Sequence, residues 1–455
     1  MSDLLAVILA AGKGSRMKST LPKVLHPIGG KPMVEHVLAA AHMAGASRTV
    51  VVVGFGAESV ETTLGTQAEY VVQAEQLGTG HAVMQASSCM QDFDGTVMVL
   101  CGDTPLLRGQ TLAKLFAEHQ TMKASATVLT ARMTDPTGYG RVIRNDSGQV
   151  LKIVEEKDAT SSERAVNEVN TGIYCFDKAA LFDALRSINC NNVQGEYYLT
   201  DVIGILAQTQ AKAKVYAVQV DDAEETLGIN SRIQLAAAEK ILRKRKLVSL
   251  MDNGVTIMDV DSTFIDDQVC IEPDTVIYPF TWLEGATSIG KGCTIGPSTR
   301  IQNSSIGENT TLHFIYAHDC QIGNHVTVGP YVHLRPNTVL ADGVKIGNFV
   351  EVKNSQVGAG SKIPHLSYIG DTDMGGGVNI GCGTITVNYD GKKKHRTIIE
   401  DEAFIGCNSN LVAPVTVGKG AFVGAGSTIT KNVPALALGV ARARQSNIEG
   451  WVTKK

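Results

Sequence analysis

Aromatic residues make up only 5% of this 455-residue chain, charged residues only 19%, and the formal net charge is −4. So mild an acid excess argues against nucleic acid as a partner, because a nucleic-acid binder carries a basic patch or stripe. No apolar run approaches the ~20 residues that span a bilayer, so no membrane partner is expected either. The run Leu4–Ala11 is short and follows Asp3, not a basic segment, which makes it a poor secretory signal. Nine cysteines form no C-x-x-C pair and are odd in number, which disfavours a disulfide framework and a zinc module. A reducing, cytoplasmic setting fits best. Scarce aromatics do not mean disorder, since 44% of the chain is hydrophobic. The length suggests two or three domains, each able to bury its own core.

Glycine, by contrast, is abundant and uneven: 20 of the 46 lie in residues 1–250 and 26 in the shorter remainder. The chain therefore has two compositional halves. In the first, Leu5–Ala10, Thr49–Val53, Tyr70–Val72, Thr96–Leu100 and Ala126–Leu129 read as short buried strands. Met33–Ala44 and Gln110–His119 carry apolar residues at helical spacing between them. Alternating strands and helices imply an α/β fold with a mostly parallel sheet covered on both faces. Such sheets bind ligands at the carboxyl ends of their strands, which makes the loop Ala11–Met17 the first suspect. Ile233–Met251 reads as one helix, and its basic run Arg243–Lys246 is either a phosphate patch or, the favoured reading, a solvated face.

From about residue 255 the period changes to six. Ile265, Ile271, Ile277, Leu283, Ile289, Ile295 and Ile301 fall six apart. After a slip the pattern resumes at Ile322, Val328, Leu334, Leu340, Ile346 and Val352, then at Val357, Ile363 and Ile369, and again from Ile405 to Ile429. Neither a helix nor a flat strand has this period. It fits a coil of short strands with one aliphatic side chain per side stacked inward, a parallel β-helix. Glycines after the aliphatic positions, as in Ile289-Gly290, Ile295-Gly296, Ile322-Gly323, Ile346-Gly347 and Ile405-Gly406, are expected to serve turns of positive φ. Residues 388–397 lack the inward aliphatics, are basic, and read as a loop thrown out from the coil.

The string Leu9-Ala-Ala-Gly-Lys-Gly-Ser-Arg-Met17 is neither a Walker A loop nor G-x-G-x-x-G. Taken alone it is as readily a tight strand–helix connection as a phosphate cradle. Asp103, just past a strand end, is likewise a ligand-edge carboxylate or a turn cap before Pro105, and Glu155 a site residue or a surface charge. In the second half, His313, His318, His325, His333, His365 and His395 are candidate bases or ordinary turn and surface residues.

Taken together, LAAGKGSRM with Leu21-Pro-Lys-Val24, and then Gln73–Ala82, Cys101–Pro105, Asp135–Arg141, Ile153–Lys157, Glu168–Gly172 and Gly195–Asp201, resemble the signature of sugar-nucleotide pyrophosphorylases. With a six-residue repeat following, the whole chain resembles the bifunctional family that makes UDP-N-acetylglucosamine, a precursor of peptidoglycan and other cell-envelope polymers. The resemblance implies three parts: a Rossmann-like uridylyltransferase domain over 1–229, a linker helix over 230–250, and a left-handed β-helix acetyltransferase over 251–455. It implies UTP, acetyl-CoA and glucosamine 1-phosphate as substrates, Mg²⁺ as cofactor, and a homotrimer sharing its acetyl-transfer sites.

For uridylyl transfer the resemblance places Leu9, Ala10, Ala11 and Gly12 on the nucleotide, Gln73 on the uracil, and Gly78 and Thr79 on base and ribose. Arg16, with a catalytic role, and Lys23 would hold phosphates. Gly140, Glu155 and Asn170 would contact the sugar, and Asp103 and Asn230 the metal. A sugar phosphate is already an anionic nucleophile, so the chemistry asks for positioning and charge neutralisation, not a base. For acetyl transfer the resemblance makes His365 the base. Arg335, Lys353, Tyr368 and Asn379 would bind glucosamine 1-phosphate, and Cys382, Asn388, Tyr389, Cys407, Ala425 and Arg442 acetyl-CoA. Cys382 and Cys407 depart from the family's usual alanine and serine, and Cys101 from its usual aromatic.

Overall fold

The computed structural model describes residues 3–208 and 214–454. It divides into two compact units, Met1–Leu242 and Arg243–Lys455. The first is built on β1 (Leu4–Ala10), which is buried because both faces are covered. Leu4, Ala6, Ile8 and Ala10 enter one core, while Leu5 and Val7 enter the other. On one face pack α1 (Met33–Met43), α2 (Ala57–Leu64) and a long helix over Gly109–Met122. On the other pack helices over Thr79–Gln85, Lys178–Leu185 and Thr200–Gln208. β2 (Arg48–Val53) pairs with β1 and with β3 (Glu69–Val72), and β4 (Thr96–Cys101) lies on β1's other side, all in parallel. This is the doubly wound arrangement expected from the alternating pattern.

Beyond β4 the sheet departs from the parallel expectation. Strand Glu168–Asp177 inserts antiparallel between β4 and the strand Ala126–Arg132, which in turn pairs in parallel with Val215–Gln219. A hairpin of Arg141–Arg144 and Val150–Val154 extends from the inserted strand. The inserted strand escapes a reading by pattern because its register shifts between Asn170 and Tyr174, around Gly172 at φ +77°. That shift breaks the period-2 alternation by which a strand is recognised.

The helix Arg232–Asp252 is divided between the units. Leu235, Ala238, Ile241 and Leu242 pack on Ile28, Met33 and Leu106 of the first core, while Leu247 and Leu250 belong to the second. Its basic run is more than a solvated face. The Arg243 guanidinium lies 4.3 Å above the Phe264 ring, and Lys246 Nζ donates to the carbonyls of Asp267 (2.7 Å) and Val269 (2.8 Å).

The second unit is a three-sided parallel β-helix. One face runs from Thr256–Ile257 to Leu438–Gly439 in 11 strands, the second from Thr263–Ile265 to Thr428–Ile429 in 10, and the third from Cys270–Ile271 to Val415–Val417 in 9. Every aliphatic of the six-period lies in one continuous core. Burying such a side chain contributes ~1.5–3 kcal/mol, so a column of isoleucine, valine and leucine needs no aromatics. The slip after Ile301 arises because coils shorten: Ile277 pairs with Ile295, Ile295 with Leu312, and Leu312 with Val328. Ile306, Leu312 and Ala317 fill the gap, so the core is unbroken.

The glycine expectation needs correcting. Of the five glycines that follow the aliphatic position in the pairs above, only Gly296 has positive φ. The others answer to the close approach of the next coil: a Cβ at Gly406 would sit 2.5 Å from Ala425 N, and one at Gly290 3.0 Å from Glu308 N. Many left-handed corners are instead taken by asparagine, aspartate and aromatics, among them Asn303, Asp319, Asn337, Tyr331 and Phe349.

Candidate active sites

In the first unit the carboxyl ends of β1, β4 and β3 bring their loops to one edge. Gly14 takes a left-handed conformation, and a Cβ there would lie 2.6 Å from Lys23 Cβ. The glycine therefore lets Lys23 pack against the loop. The Lys23 ammonium bridges two oxygens: it donates to Asp103 Oδ2 and, at 3.0 Å, to Asn230 Oδ1. The peptide backbone ties the same segments, with Ile229 N donating to Asp103 O at 2.9 Å. Two hard oxygens from segments far apart in sequence thus converge on one positive centre. That is a donor set suited to a divalent cation which takes its other ligands from phosphates and water. Among the described residues no group of three or more His, Cys, Asp or Glu side chains is placed to hold a metal, and Asp103 with Asn230 supplies two oxygens beside one cation.

Arg16 is exposed at the end of a short 3₁₀ turn and has no partner among the described residues. Leu9, Ala10 and Ala11 close β1, and Gly12 faces open space, with nothing within 4 Å of a Cβ there. Gln73 is buried past β3 and donates to Gly78 O at 3.1 Å. Gly78 has φ +108°, and a Cβ would approach Tyr197 O to 2.6 Å, so no other residue fits. Thr79 Oγ1 accepts from Leu199 N at 3.1 Å.

Gly140, Glu155 and Asn170 form a second group, where a Cβ on Gly140 would lie 3.5 Å from both Glu155 Oε1 and Asn170 Cβ. Burial raises the Glu155 carboxyl above the ordinary range although Thr200 donates to it at 3.2 Å. Beside this group the Cys101 thiol is pushed up to about 12 by burial, then by Asp103. It stays protonated and donates to Gly172 O at 3.6 Å.

In the second unit the ladder itself positions the side chains. Arg335, Lys353 and Tyr368 lie on the second face of successive coils, and Arg335 pairs with Glu351 at 2.8 Å. The thrown-out loop folds back as a small hairpin bridged between Tyr389 and Lys394. Lys394 approaches Lys353 and holds that amine below the ordinary lysine range, with burial second. Sequence reasoning misses Lys394 as a partner. The basic loop is visible in the sequence, but which of its lysines folds back is not. Asn388 is buried and donates to Tyr368 Oη at 3.3 Å and to Asp371 at 2.5 Å. Its amide therefore braces the cationic face. Tyr389 is exposed, its hydroxyl on Gly391 O at 2.8 Å.

His365 stands at the corner between the first and second faces, exposed, with Nδ1 2.9 Å from Asn348 Oδ1. Parallel register places Cys382, Cys407 and Ala425 on the following coils of the same corner column. The Arg442 chain passes Gly426, 3.9 Å from a Cβ there. Asn379 lies elsewhere. It is on the first face between Lys362 and Phe404, not among Arg335, Lys353 and Tyr368.

A doubly wound sheet with a phosphate-ready edge, followed by a β-helix bearing its own cationic face, defines a two-domain transferase. Three family profiles match in order: nucleotidyl transferase over residues 5–226, the GMPPB C-terminal domain over 261–365, and the bacterial transferase hexapeptide over 396–431. The chain is 56% identical to the bifunctional protein GlmU of Geobacillus sp. strain WCH70, covering 99% of this chain and 97% of that one. It is 54% identical to the GlmU of Halalkalibacterium halodurans over the whole of both, and 51% identical to that of Listeria monocytogenes serotype 4a over 99% and 98%. The chain belongs to the GlmU family of bifunctional transferases. It is an enzyme that joins a nucleotidyltransferase domain to a hexapeptide acetyltransferase domain, and nucleotidyl transfer in this family uses a divalent metal.

Proposed function

We propose that the second unit acetylates glucosamine 1-phosphate from acetyl-CoA and that the first joins the product to UMP from UTP, releasing pyrophosphate. One juxtaposition carries the reading. A single chain holds an ammonium bridging two hard oxygens at a sheet's carboxyl edge, and an imidazole with one nitrogen free on coils that also bear a cationic face.

In the first unit Gln73 and Gly78 read the uracil edge, Thr79 lies under base and ribose, and the backbone of Leu9–Gly12 takes the nucleotide. Asp103 and Asn230 would hold Mg²⁺, which when bound neutralises phosphate charge. Lys23 then turns from these two oxygens to the phosphates, and Arg16, with no internal partner, closes on the leaving pyrophosphate. Gly140, Glu155 and Asn170 orient the sugar so that its phosphate oxygen meets the α-phosphorus in line.

In the second unit Asn348 presents an amide oxygen to His365 Nδ1, so Nδ1 carries the proton and Nε2 is free to act as base. That nitrogen takes the proton from the glucosamine ammonium, the free amine attacks the thioester carbonyl, and the C–S bond breaks as the departing CoA thiolate takes up the second amine proton. Arg335 and Lys353, with Lys394 against them, bind the sugar phosphate. Tyr368, braced by Asn388, positions the ring. Tyr389, Cys382, Cys407, Ala425 and Arg442 line the acetyl-CoA groove.

The placement of Asn379 on another face supports a site completed by a neighbouring copy. An exposed corner column of Tyr331, Phe349 and Leu366, 59%, 56% and 60% exposed, supplies apolar surface for such packing in a homotrimer. The reading also places the enzyme in the cytoplasm, supplying envelope-polymer synthesis. Among the described residues no helix is long and apolar enough to cross a membrane.

The test is a coupled assay with glucosamine 1-phosphate, acetyl-CoA and UTP, following CoA and pyrophosphate separately. Release of both is expected. Pyrophosphate from supplied N-acetylglucosamine 1-phosphate with CoA only at background would reduce the β-helix to a structural part.

A further inference from the structure

Four cysteines along the β-helix show two contrasting environments. Cys293 and Cys320 are buried in the β-helix, their thiols tied to the carbonyls of Gly307 (3.0 Å) and His318 (3.1 Å). Burial raises both, Cys320 to about 12, so they remain inert thiols. Cys382 and Cys407 differ: Cys407 is exposed, Cys382 half-buried, and neither sulfur has a hydrogen-bond partner among the described residues.

Their placement is fixed by the ladder. Asn379 pairs with Phe404 and Ile380 with Ile405 in parallel register, which carries Cys382 opposite Cys407. Backbone bonds hold that register on both sides, with Gly381 N on Ile405 O and Asn408 N on Cys382 O, each 2.7 Å. A Cβ on Gly381 would lie 2.5 Å from Cys407 N, so the glycine keeps the two coils in close contact beside the thiols. Adjacent strands lie about 4.8 Å apart, within the ~4.4–6.8 Å Cα separation that a disulfide spans. The coil before them puts His365 at the same corner.

We propose that Cys382 and Cys407 form a thiol–disulfide exchange site that closes the acetyl-transfer groove when oxidised by a disulfide of the CoA type. The proposal rests on the acetyl-CoA reading given above, because a groove that holds the CoA moiety of acetyl-CoA also admits one CoA moiety of CoA disulfide supplied from solution. The Cys407 thiolate, the more exposed, attacks one sulfur of CoA disulfide and forms a mixed disulfide as one CoA thiolate leaves. The Cys382 thiolate then attacks Cys407 Sγ, the protein disulfide forms, and the second CoA leaves. Two protein thiols are oxidised, one CoA disulfide is reduced to two CoA thiols, and the two protons pass from the cysteines to the CoA thiolates. The new bond bridges two coils already in contact directly after His365, and its sulfurs fill the wall on which the proposed function lays acetyl-CoA.

The experiment treats the full-length protein with CoA disulfide, then maps cysteines by alkylation and peptide mass spectrometry and assays both activities. A Cys382–Cys407 linked peptide is expected, reversible by dithiothreitol. Acetyl transfer should fall on the order of 100-fold, as a thioester held out of line with the base predicts, while uridylyl transfer holds. Cys382→Ala/Cys407→Ser should abolish the sensitivity, read as the ratio of treated to untreated rate whatever its own basal rate. Both cysteines remaining alkylatable after treatment would overturn the proposal, as would a formed disulfide that leaves acetyl transfer unchanged. A wild type with no acetyl transfer would instead refute the acetyl-CoA reading, and the thiol mapping would then decide the disulfide alone.

Discussion

On the proposed reading the two units each gather cations for a phosphate ester, by opposite means. In the first, Lys23 opens the short 3₁₀ helix Lys23–Leu25, Asp103 and Asn230 lie on loops beyond the sheet's edge, and no strand ladder sets their spacing. In the second, Arg335, Lys353 and Tyr368 are outward side chains of strands whose inward neighbours form the core. A loop site can shift, and Lys23 must leave two oxygens to reach a phosphate. A ladder site is set by inter-coil register and has little freedom, so its adjustable part is the loop over 388–397. Mobility is thus concentrated at different levels of the two halves.

The strongest break of this pairing is Asp103→Ala. It removes a charged donor and leaves Lys23 without its carboxylate. Uridylyl transfer should fall on the order of 10³-fold or more, while acetyl transfer stays within about twofold. Separate pyrophosphate and CoA assays check it, and parallel loss of both would mean that the substitution acts on folding. The mirror experiment is His365→Ala, for which acetyl transfer should fall by roughly 10²–10⁴-fold with uridylyl transfer untouched. Rescue of CoA release by added imidazole would confirm that a missing base is the cause.

A smaller effect tests the architecture. Ile346 is 2% exposed and sits mid-column between Val328 and Ile363. Ile346→Ala should cost about 2–5 kcal/mol. In a solenoid that loss falls on the coupling between neighbouring coils, so hydrogen exchange should quicken around residues 328–363 first. Ile8→Ala, in the two-sided core of the first unit, should lower protection across that whole sheet. Uniform loss of protection in the β-helix would show that its coils unfold as one.

The two halves also differ in how openly the amino-acid sequence declares them. The inward column from Ile265 to Ile429 is readable because each coil repeats the same burial, and its slips mark shortened corners and, between Ile380 and Ile405, the coil lengthened by the loop over 388–397. Leu5–Ala10, Thr49–Val53, Thr96–Leu100 and Ala126–Leu129 are readable because both their faces are buried, whereas the strand Glu69–Val72, expected to be buried, forms the sheet's edge and leaves Val72 exposed. The strand Glu168–Asp177 is not, since its register shift removes the alternation. Nor is the contact of Lys394 with Lys353, because composition finds a basic loop but not which side chain folds back. The pairing of Asp103 with Asn230 is foreseen only through family likeness, and the Lys23 ammonium between them is not foreseen at all. Nothing local to positions 23, 103 and 230 requires them to touch.

The gentlest probe of the comparison is acid. His119, on the helix Gly109–Met122, is buried in the first unit with Nδ1 2.9 Å from Thr127 Oγ1. Burial holds its pKa down at about 4 from 6.5, with Asp177 pulling weakly the other way. A histidine depressed in the folded state contributes stability that is complete above pH 6.5 and is lost as pH falls through about 4. The full shift corresponds to about 3 kcal/mol. The first unit's unfolding free energy should therefore decline through this window, and His119→Gln, which keeps a polar group near Thr127, should flatten the decline. In the β-helix His333 is also lowered by burial, but it is less enclosed and Glu351 opposes the shift, so the slope there should be shallower. Denaturant titrations at several pH values, read with probes in each unit, would test this. If wild type and His119→Gln decline with equal slope, carboxylates such as the ion-paired Glu168 carry the acid sensitivity, and the buried imidazole has no part in it.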